Sequence, residues 1–350
     1  MEMTFRWYGE TDRVTLAQIR QIPGVTGIVS ALYDIDVGAP WPLASIERLA
    51  ATVDAAGLRL SVIESSPVHE DIKLGRPSRD RLADHYCTSI EHMGRAGVDV
   101  LCYNFMPVFD WTRTALAEPM ADGSTTLSFD EAAAERIDLS RGTAGLPGWA
   151  ASYDATALAE LLDAYRAVPA EQLWENLAWF LERVVPVAAS AGVRMGSQPD
   201  DPPWPVFGLP RIITDAAALR RLVSLVDSPS NGVTFCTGSL GALPTNDLPV
   251  MARVIGGMGR ISFAHCRNVA VTGHHAFRET PHPSRFGDVD MHAVLRALHD
   301  TGYTGPMRPD HGRMIWSETG RAGYGLCDRA LGAVYLQGLW EGITRERAAS

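Results

Sequence analysis

The sequence predicts an α/β fold closed into a (β/α)8 TIM barrel, and three observations carry that expectation. Eight short β-branched or apolar runs alternate with stretches of helical periodicity. The clearest helical stretches close on glycine, a common helix stop before a following strand. No internal repeat or low-complexity linker divides residues 1–350, a length that closed α/β barrels reach as a single domain with insertions. An open doubly wound sheet alternates in the same way, so the number of runs is what favours closure.

In chain order the runs are MTFRWYG (3–9), TGIVSALYD (26–34), LRLSVIESS (58–66), DVLCYNFMP (99–107), VRMGSQP (193–199), GVTFCTGS (232–239), ISFAHCRN (261–268) and GPMRPDHG (305–312). Between them lie LASIERLAATVDAAG (43–57), LADHYCTSIEHMGRAG (82–97), LAWFLERVVPVAASAG (177–192) and MHAVLRALHDTG (291–302), three ending in Ala-Gly and the last in Thr-Gly. The rhythm breaks after the fourth strand. An insertion of about 112–168, rich in Ala, Asp, Glu and Ser, carries LSFDEAAAERIDLSRG and the loop TAGLPGWAASYD. Such a segment covers the barrel mouth, builds an oligomer contact or is a solvated excursion. A second loop, PDDPPWPVFGLPRI, is dense in proline and aromatics and reads as a rigid wall.

Composition removes several classes of function. A net charge of −10 disfavours a nucleic-acid partner, which needs a basic stripe to displace phosphate counterions. Five scattered cysteines, Cys87, Cys102, Cys236, Cys266 and Cys327, read as reduced thiols of a cytoplasmic protein. The start MEMTFRWYGE has no apolar core of a signal peptide, and charges interrupt every long apolar stretch, so no membrane partner is expected. Lys73 is the only lysine, which leaves Schiff-base chemistry a single candidate.

In a barrel of this kind the residues at the C-terminal strand ends face the mouth. The last four strands end in Gln198, Cys236, His265 and the pair Asp310–His311. A lone buried Cys or His is more often core filler than ligand. Four donor-capable groups on four consecutive strands reverse that balance and point to a mononuclear metal site.

The stretches FRWYG, IPGVTGIVSALYD, VIESSPVHEDIKLG, CYNFMPVFDWTRT, PDDPPWPVFGLPRI, CTGSLGA, RPDHGRMIW and GYGL with DRALGAVYLQGLWEG run from residue 5 to about 342. Together they resemble the mannonate dehydratase family. The resemblance implies a TIM barrel that binds Mn2+, or another divalent ion such as Zn2+, Co2+ or Fe2+, and removes water from D-mannonate to give 2-keto-3-deoxy-D-gluconate. It also implies a His, Cys, His, Asp ligand set, of which the last three fall on Cys236, His265 and Asp310. Where the family has His before PDDPP this chain has Gln198, a weaker neutral oxygen donor. Cys327 stands where the family has tyrosine, and the family's acid/base tyrosine falls on either Tyr324, which is retained and favoured, or position 327. The two departures together suggest a shifted role, in which restoring the imidazole at 198 tightens metal binding with little gain on D-mannonate.

Dehydration beside a carboxylate needs a base at C2, an acid for the leaving C3 hydroxyl and stabilisation of the developing charge. Tyr324 is the candidate base and His311 the candidate acid, the other reading of His311 being an orienter of the ligand Asp310. Arg267, Asn268, Glu279 and His282, the latter two in the loop after the seventh strand, are candidate substrate contacts, with Trp7, His69, Asn104 and Asp110 from earlier strands. Each alone is as readily a structural hydrogen-bond partner. His274 and His275 read as an exposed pair on a loop. The expected partner is a small sugar acid, and a homo-oligomer, dimer or tetramer, is expected. A barrel that has lost catalysis and binds a sugar acid or a protein, and an aldose–ketose isomerase or epimerase, are the competing readings.

Overall fold

The computed structural model describes residues 1–141 and 153–349. Its strands, numbered in chain order, are β1 (Glu2–Arg6), β2 (Val25–Ser30), β3 (Arg59–Pro67), β4 (Val100–Asn104), β5 (Ala115–Pro119), β6 (Thr125–Asp130), β7 (Arg194–Ser197), β8 (Asn231–Cys236), β9 (Ile261–His265), β10 (Asn268–Gly273), β11 (Ala276–Thr280) and β12 (Pro306–Arg308). Eight of them close a parallel barrel in the order β1-β2-β3-β4-β7-β8-β9-β12. Each falls on one of the eight runs named above.

Burial explains why those runs became strands. Every residue of β4 and β8 is buried, because one face looks to the barrel axis and the other lies under helices. Val29, Val62, Val100, Cys102 and Phe263 form an apolar cluster of their own, while their chain neighbours Ile28, Ile63 and Leu101 pack in the main core with the helices. Side chains alternate faces along a strand, so the next residues on the axis side are Glu64 after Val62, Asn104 after Cys102 and His265 after Phe263. All three line the cavity at the barrel mouth.

The outer layer follows the helical periodicity. Helices Leu43–Ala55, Arg79–Arg95, Ala170–Ala191 and Met291–Asp300 are succeeded by Gly57, Gly97, Gly192 and Gly302 at φ of +72, +78, +70 and +74°. Those left-handed residues turn the chain toward the next strand. Aspartates cap helix starts: Asp215 accepts from the N–H of Ala218, Asp247 from Val250 and, for Met291–Asp300, Asp290 from Ala293.

The sequence reading missed one element of structure. β10, β11, β6 and β5 form a second, antiparallel sheet in that order. Part of the insertion is therefore strand, and Glu279, expected in a loop, sits on β11 with His282 just beyond it. β5–β6 and β10–β11 are each local pairs, but the β6–β11 ladder that joins them spans the chain and leaves no local signal. Most of the loop TAGLPGWAASYD lies outside the described residues. Among the described residues no helix is long and apolar enough to cross a membrane.

Candidate metal and active site

Cys236 ends β8, His265 ends β9 and Asp310 lies two residues past β12. One donor atom from each lies within 4.8 Å of the other two, and all three residues are buried. Asp310 Oδ2 is 3.7 Å from Cys236 Sγ and 3.9 Å from His265 Nδ1. The Asp310 backbone is left-handed, with φ +62°, which a residue with a side chain adopts only when its surroundings over-determine it. Here they do: its carboxylate accepts from Arg267 Nε at 2.7 Å and lies 2.6 Å from Arg308 Nη2.

Charge tunes Asp310 and Cys236 toward their ligating forms, and His265 toward the protonated form that an ion would have to displace. Burial pushes the Asp310 carboxyl up, but Arg308, His311, His265 and Arg267 outweigh it and hold the group well below the usual carboxylate range. Burial also raises the Cys236 thiol, and Arg267 with His265 reverses this to a net lowering that favours thiolate. For His265, burial and Arg308 act downward, and Asp310 and Glu64 carry the balance upward.

Gln198 follows β7 and lines the same cavity. Its Nε2 donates to Ser239 Oγ at 3.2 Å, and Ser239 donates onward to Cys236 Sγ at 3.1 Å. The Gln198 Oε1 and the His265 Nε2 are buried with no hydrogen-bond partner among the described residues. A thiolate, an imidazole, a carboxylate and a free amide oxygen fit a divalent transition ion.

Beside this set stands a hydrogen-bonded His–Tyr pair. His311 Nε2 is 2.9 Å from the Tyr324 hydroxyl, and His311 Nδ1 is 2.8 Å from Glu279 Oε1. An ionised carboxylate only accepts, so Nδ1 carries the hydrogen and Nε2 accepts from the phenol. Burial raises the Tyr324 phenol, with Arg308 opposing. Glu279 is held in turn by Arg113 Nη2 and Arg267 Nη1, each at 2.7 Å. Arg267 also donates to Asp201 and Ser239. Gly238 permits this, because a Cβ there would lie 2.5 Å from the Arg267 guanidinium carbon.

Gln198, His265, Arg267, Asp310, His311, Tyr324, Asn104 and Asp110 thus share one cavity. Four expected substrate contacts lie elsewhere. Trp7 packs in the hydrophobic core, and His69 caps the short helix Glu70–Lys73. Asn268 donates to the Pro283 carbonyl and accepts from the Val289 amide, and His282 Nε2 meets the Pro309 carbonyl. Glu279 reaches the cavity through His311. Cys327 begins the last helix, half-buried and off the cavity, its amide donating to Glu318. Sequence reasoning passed over Arg308, Glu64, Tyr8 and Ser239. Period-two counting along β3 would have found Glu64, and counting back two from Asp310 would have found Arg308, whereas Ser239 reaches Cys236 through a helical turn.

A closed barrel with a buried donor triad and a hydrogen-bonded His–Tyr pair at its mouth defines a TIM-barrel protein whose cavity places groups capable of acid–base chemistry beside possible metal ligands. The chain matches the D-mannonate dehydratase (UxuA) family over residues 1–350. It is 53% identical over 344 residues to mannonate dehydratase 2 of Halalkalibacterium halodurans, covering 98% of this chain and 100% of that one. It is 52% identical over 345 residues to mannonate dehydratase of Streptococcus uberis, covering 99% of each. The crystal structure of mannonate dehydratase from Streptococcus suis superposes with a TM-score of 0.93 at 47% identity, over 99% of this chain and 96% of that one. This chain belongs to the mannonate dehydratase family and is a sugar-acid dehydratase, a carbon–oxygen hydro-lyase. A D-psicose 3-epimerase of Clostridium cellulolyticum, at 13% identity and TM-score 0.56 over 98% of this chain and 99% of that one, shares the fold alone.

Proposed function

We propose that the chain converts D-mannonate to 2-keto-3-deoxy-D-gluconate with one divalent ion held by Cys236, His265, Asp310 and the Gln198 carbonyl. Mn2+ is the first choice, with Zn2+, Co2+ or Fe2+ compatible with the same donors. When bound, the ion supplies Lewis-acid stabilisation of the charge that develops beside the substrate carboxylate. The remaining work falls to side chains. His311 Nε2 takes the phenol proton of Tyr324, and the phenolate takes the proton from C2. The C2–H electrons form the C2–C3 double bond as the C3–O bond breaks, and protonated His311 gives its proton to the departing hydroxide. Water leaves, both residues end as they began, and the enol becomes the 2-keto acid. Glu279 keeps His311 in the tautomer this exchange needs.

The Nε and Nη1 of Arg308 are buried without a hydrogen-bond partner among the described residues, which supports a grip on the substrate carboxylate. Arg267 is occupied by protein acceptors, and its part is to hold Asp310 and Asp201 in place. Asn104 is kept as a hydroxyl contact. Trp7, His69, Asn268 and His282 act in support of the fold. The whole chain is read as one catalytic domain, cytoplasmic and assembled as a homo-oligomer, with the sugar acid as its small-molecule partner. The observation that carries the mechanism is the 2.9 Å contact between His311 and Tyr324 at the cavity lined by His265 and Asp310. Incubating the protein with D-mannonate and Mn2+ should yield the 2-keto-3-deoxy acid, with loss on chelation and recovery on adding Mn2+ back. A Mn2+-loaded protein that turns over no sugar acid would overturn the reading, and turnover of a different one would move the substrate.

A further inference from the structure

The turn between β10 and β11 carries two adjacent histidines that the catalytic cavity does not use. His274 is exposed and His275 half-buried. The ladder that pairs Ala276 with Asp130 brings Glu131 alongside, and the Glu131 amide donates to the His275 carbonyl at 3.2 Å. His275 Nδ1 is 2.9 Å from Glu131 Oε2. The His275 ring lies flat against Trp204, with centroids 4.6 Å apart and planes 8° apart. The His274 ring stacks on His275 at 4.0 Å and 22°.

One donor atom from each of Glu131, His274 and His275 lies within 4.8 Å of the other two. We propose that these three residues form a second, surface site for a divalent transition ion, with water completing its coordination. Two imidazoles and one carboxylate are a borderline donor set suited to Zn2+, Co2+ or Ni2+. Bonds of about 2.0–2.1 Å to a tetrahedral ion put donors roughly 3.3 Å apart. The Glu131–His275 separation is already near that value. The backbone pairing and Trp204 fix two of the three donors in advance, so only the exposed His274 ring has to turn inward. The ion would tie the hairpin tip to the insertion, two segments more than a hundred residues apart in the chain. β11 of that hairpin carries Glu279, so the clip would stiffen the sheet behind His311 without touching substrate.

Titrating metal-free protein with Co2+, by calorimetry and absorption, separates the two sites. A thiolate ligand gives cobalt an intense near-ultraviolet charge-transfer band, and a His–His–Glu site does not. The expected result is two equivalents per chain, of which one brings the band. His274→Ala should weaken only the band-free equivalent, by about tenfold or more, with the thiolate band and turnover retained. Glu131→Gln keeps an acceptor for His275 while removing the charge, and should weaken the same equivalent. A single equivalent that brings the band, or a band-free equivalent unchanged in both variants, would overturn the proposal. Loss of the band with retention of an equivalent sensitive to His274 would leave this site standing and count against the cavity ligands instead.

Discussion

The barrel rim and the added sheet meet at one cavity, yet they supply different things. The rim contributes atoms that can bind: Cys236, His265, Asp310, Gln198 and the free edge of Arg308. The sheet contributes an orienting charge. Glu279 on β11 fixes His311, and Arg113, just before β5, holds both Glu279 and Asp201 while wholly buried. A rim mutation should therefore empty the metal site, and a sheet mutation should leave metal in place while disturbing proton transfer. The first is a question of ligands and the second of orientation.

The largest effect is expected at the rim. Asp310→Ala removes a donor and leaves Arg267 and Arg308 without the carboxylate that separates their charges. Breaking a buried ion pair costs about 3–5 kcal/mol, so stability should fall along with metal content and turnover. Metal analysis and thermal melting check this. If the variant retains a full equivalent of Mn2+ in the cavity, Asp310 is not a ligand.

Next come the two residues where rim and sheet join. Tyr324→Phe and His311→Asn should each lower turnover by roughly 100-fold or more with metal content unchanged. Near-normal rates in both would remove the pair from the mechanism. Glu279→Gln tests the sheet alone and should cost about 10–100-fold in turnover, the usual scale for an orienting partner. It also has an acid signature. Burial raises the Glu279 carboxyl, and His311, Arg267 and Arg113 bring it down to about 2, below its ordinary 4.5. A depressed carboxyl contributes stability that is present above the ordinary value and lost as pH falls toward the folded one. Denaturant unfolding between pH 4.5 and 2 should thus decline less steeply in Glu279→Gln than in the wild type. Equal slopes would mean the carboxylate is not held as described.

This division also marks what was legible in the sequence. All eight barrel strands could be read because parallel strands buried on both faces are continuous apolar runs. Their terminal donors followed from strand position. The added sheet could not be read, since TTLSFD and AFRET are short and pair with each other across about 150 residues, a match that local pattern does not record. Glu279 was named, but its task was hidden with its strand. Trp7 and His69 do not line the cavity for a simpler reason: polar or aromatic character near a strand end does not say which face the side chain takes. Cys327 is the sharpest case. In sequence it looked like a change within the catalytic stretch, but the helix it starts turns it away from the cavity, and Tyr324 alone meets His311.

That relocation alters what is expected of Gln198, the smallest effect and the closest test of the rim. With Cys327 off the cavity, Gln198 is the departure that touches the donor set, and nothing else there argues for a shifted substrate. Its amide oxygen has no partner among the described residues, so replacing it sacrifices no existing acceptor bond. Its Nε2 does donate to Ser239, and Ser239 supports the Cys236 sulfur. Gln198→His exchanges a weak oxygen donor for a nitrogen at the price of that one hydrogen bond, which is worth about 1 kcal/mol. Mn2+ affinity should rise by about tenfold. At limiting Mn2+ the turnover of D-mannonate should rise with occupancy, and at saturating Mn2+ it should match the wild type, because the Tyr324–His311 pair is unchanged. A gain that persists at saturation would show that the ligand tunes the reaction itself. Unchanged or weaker affinity would mean that the free oxygen of Gln198 does not face the ion, and the fourth donor would have to be sought on another strand.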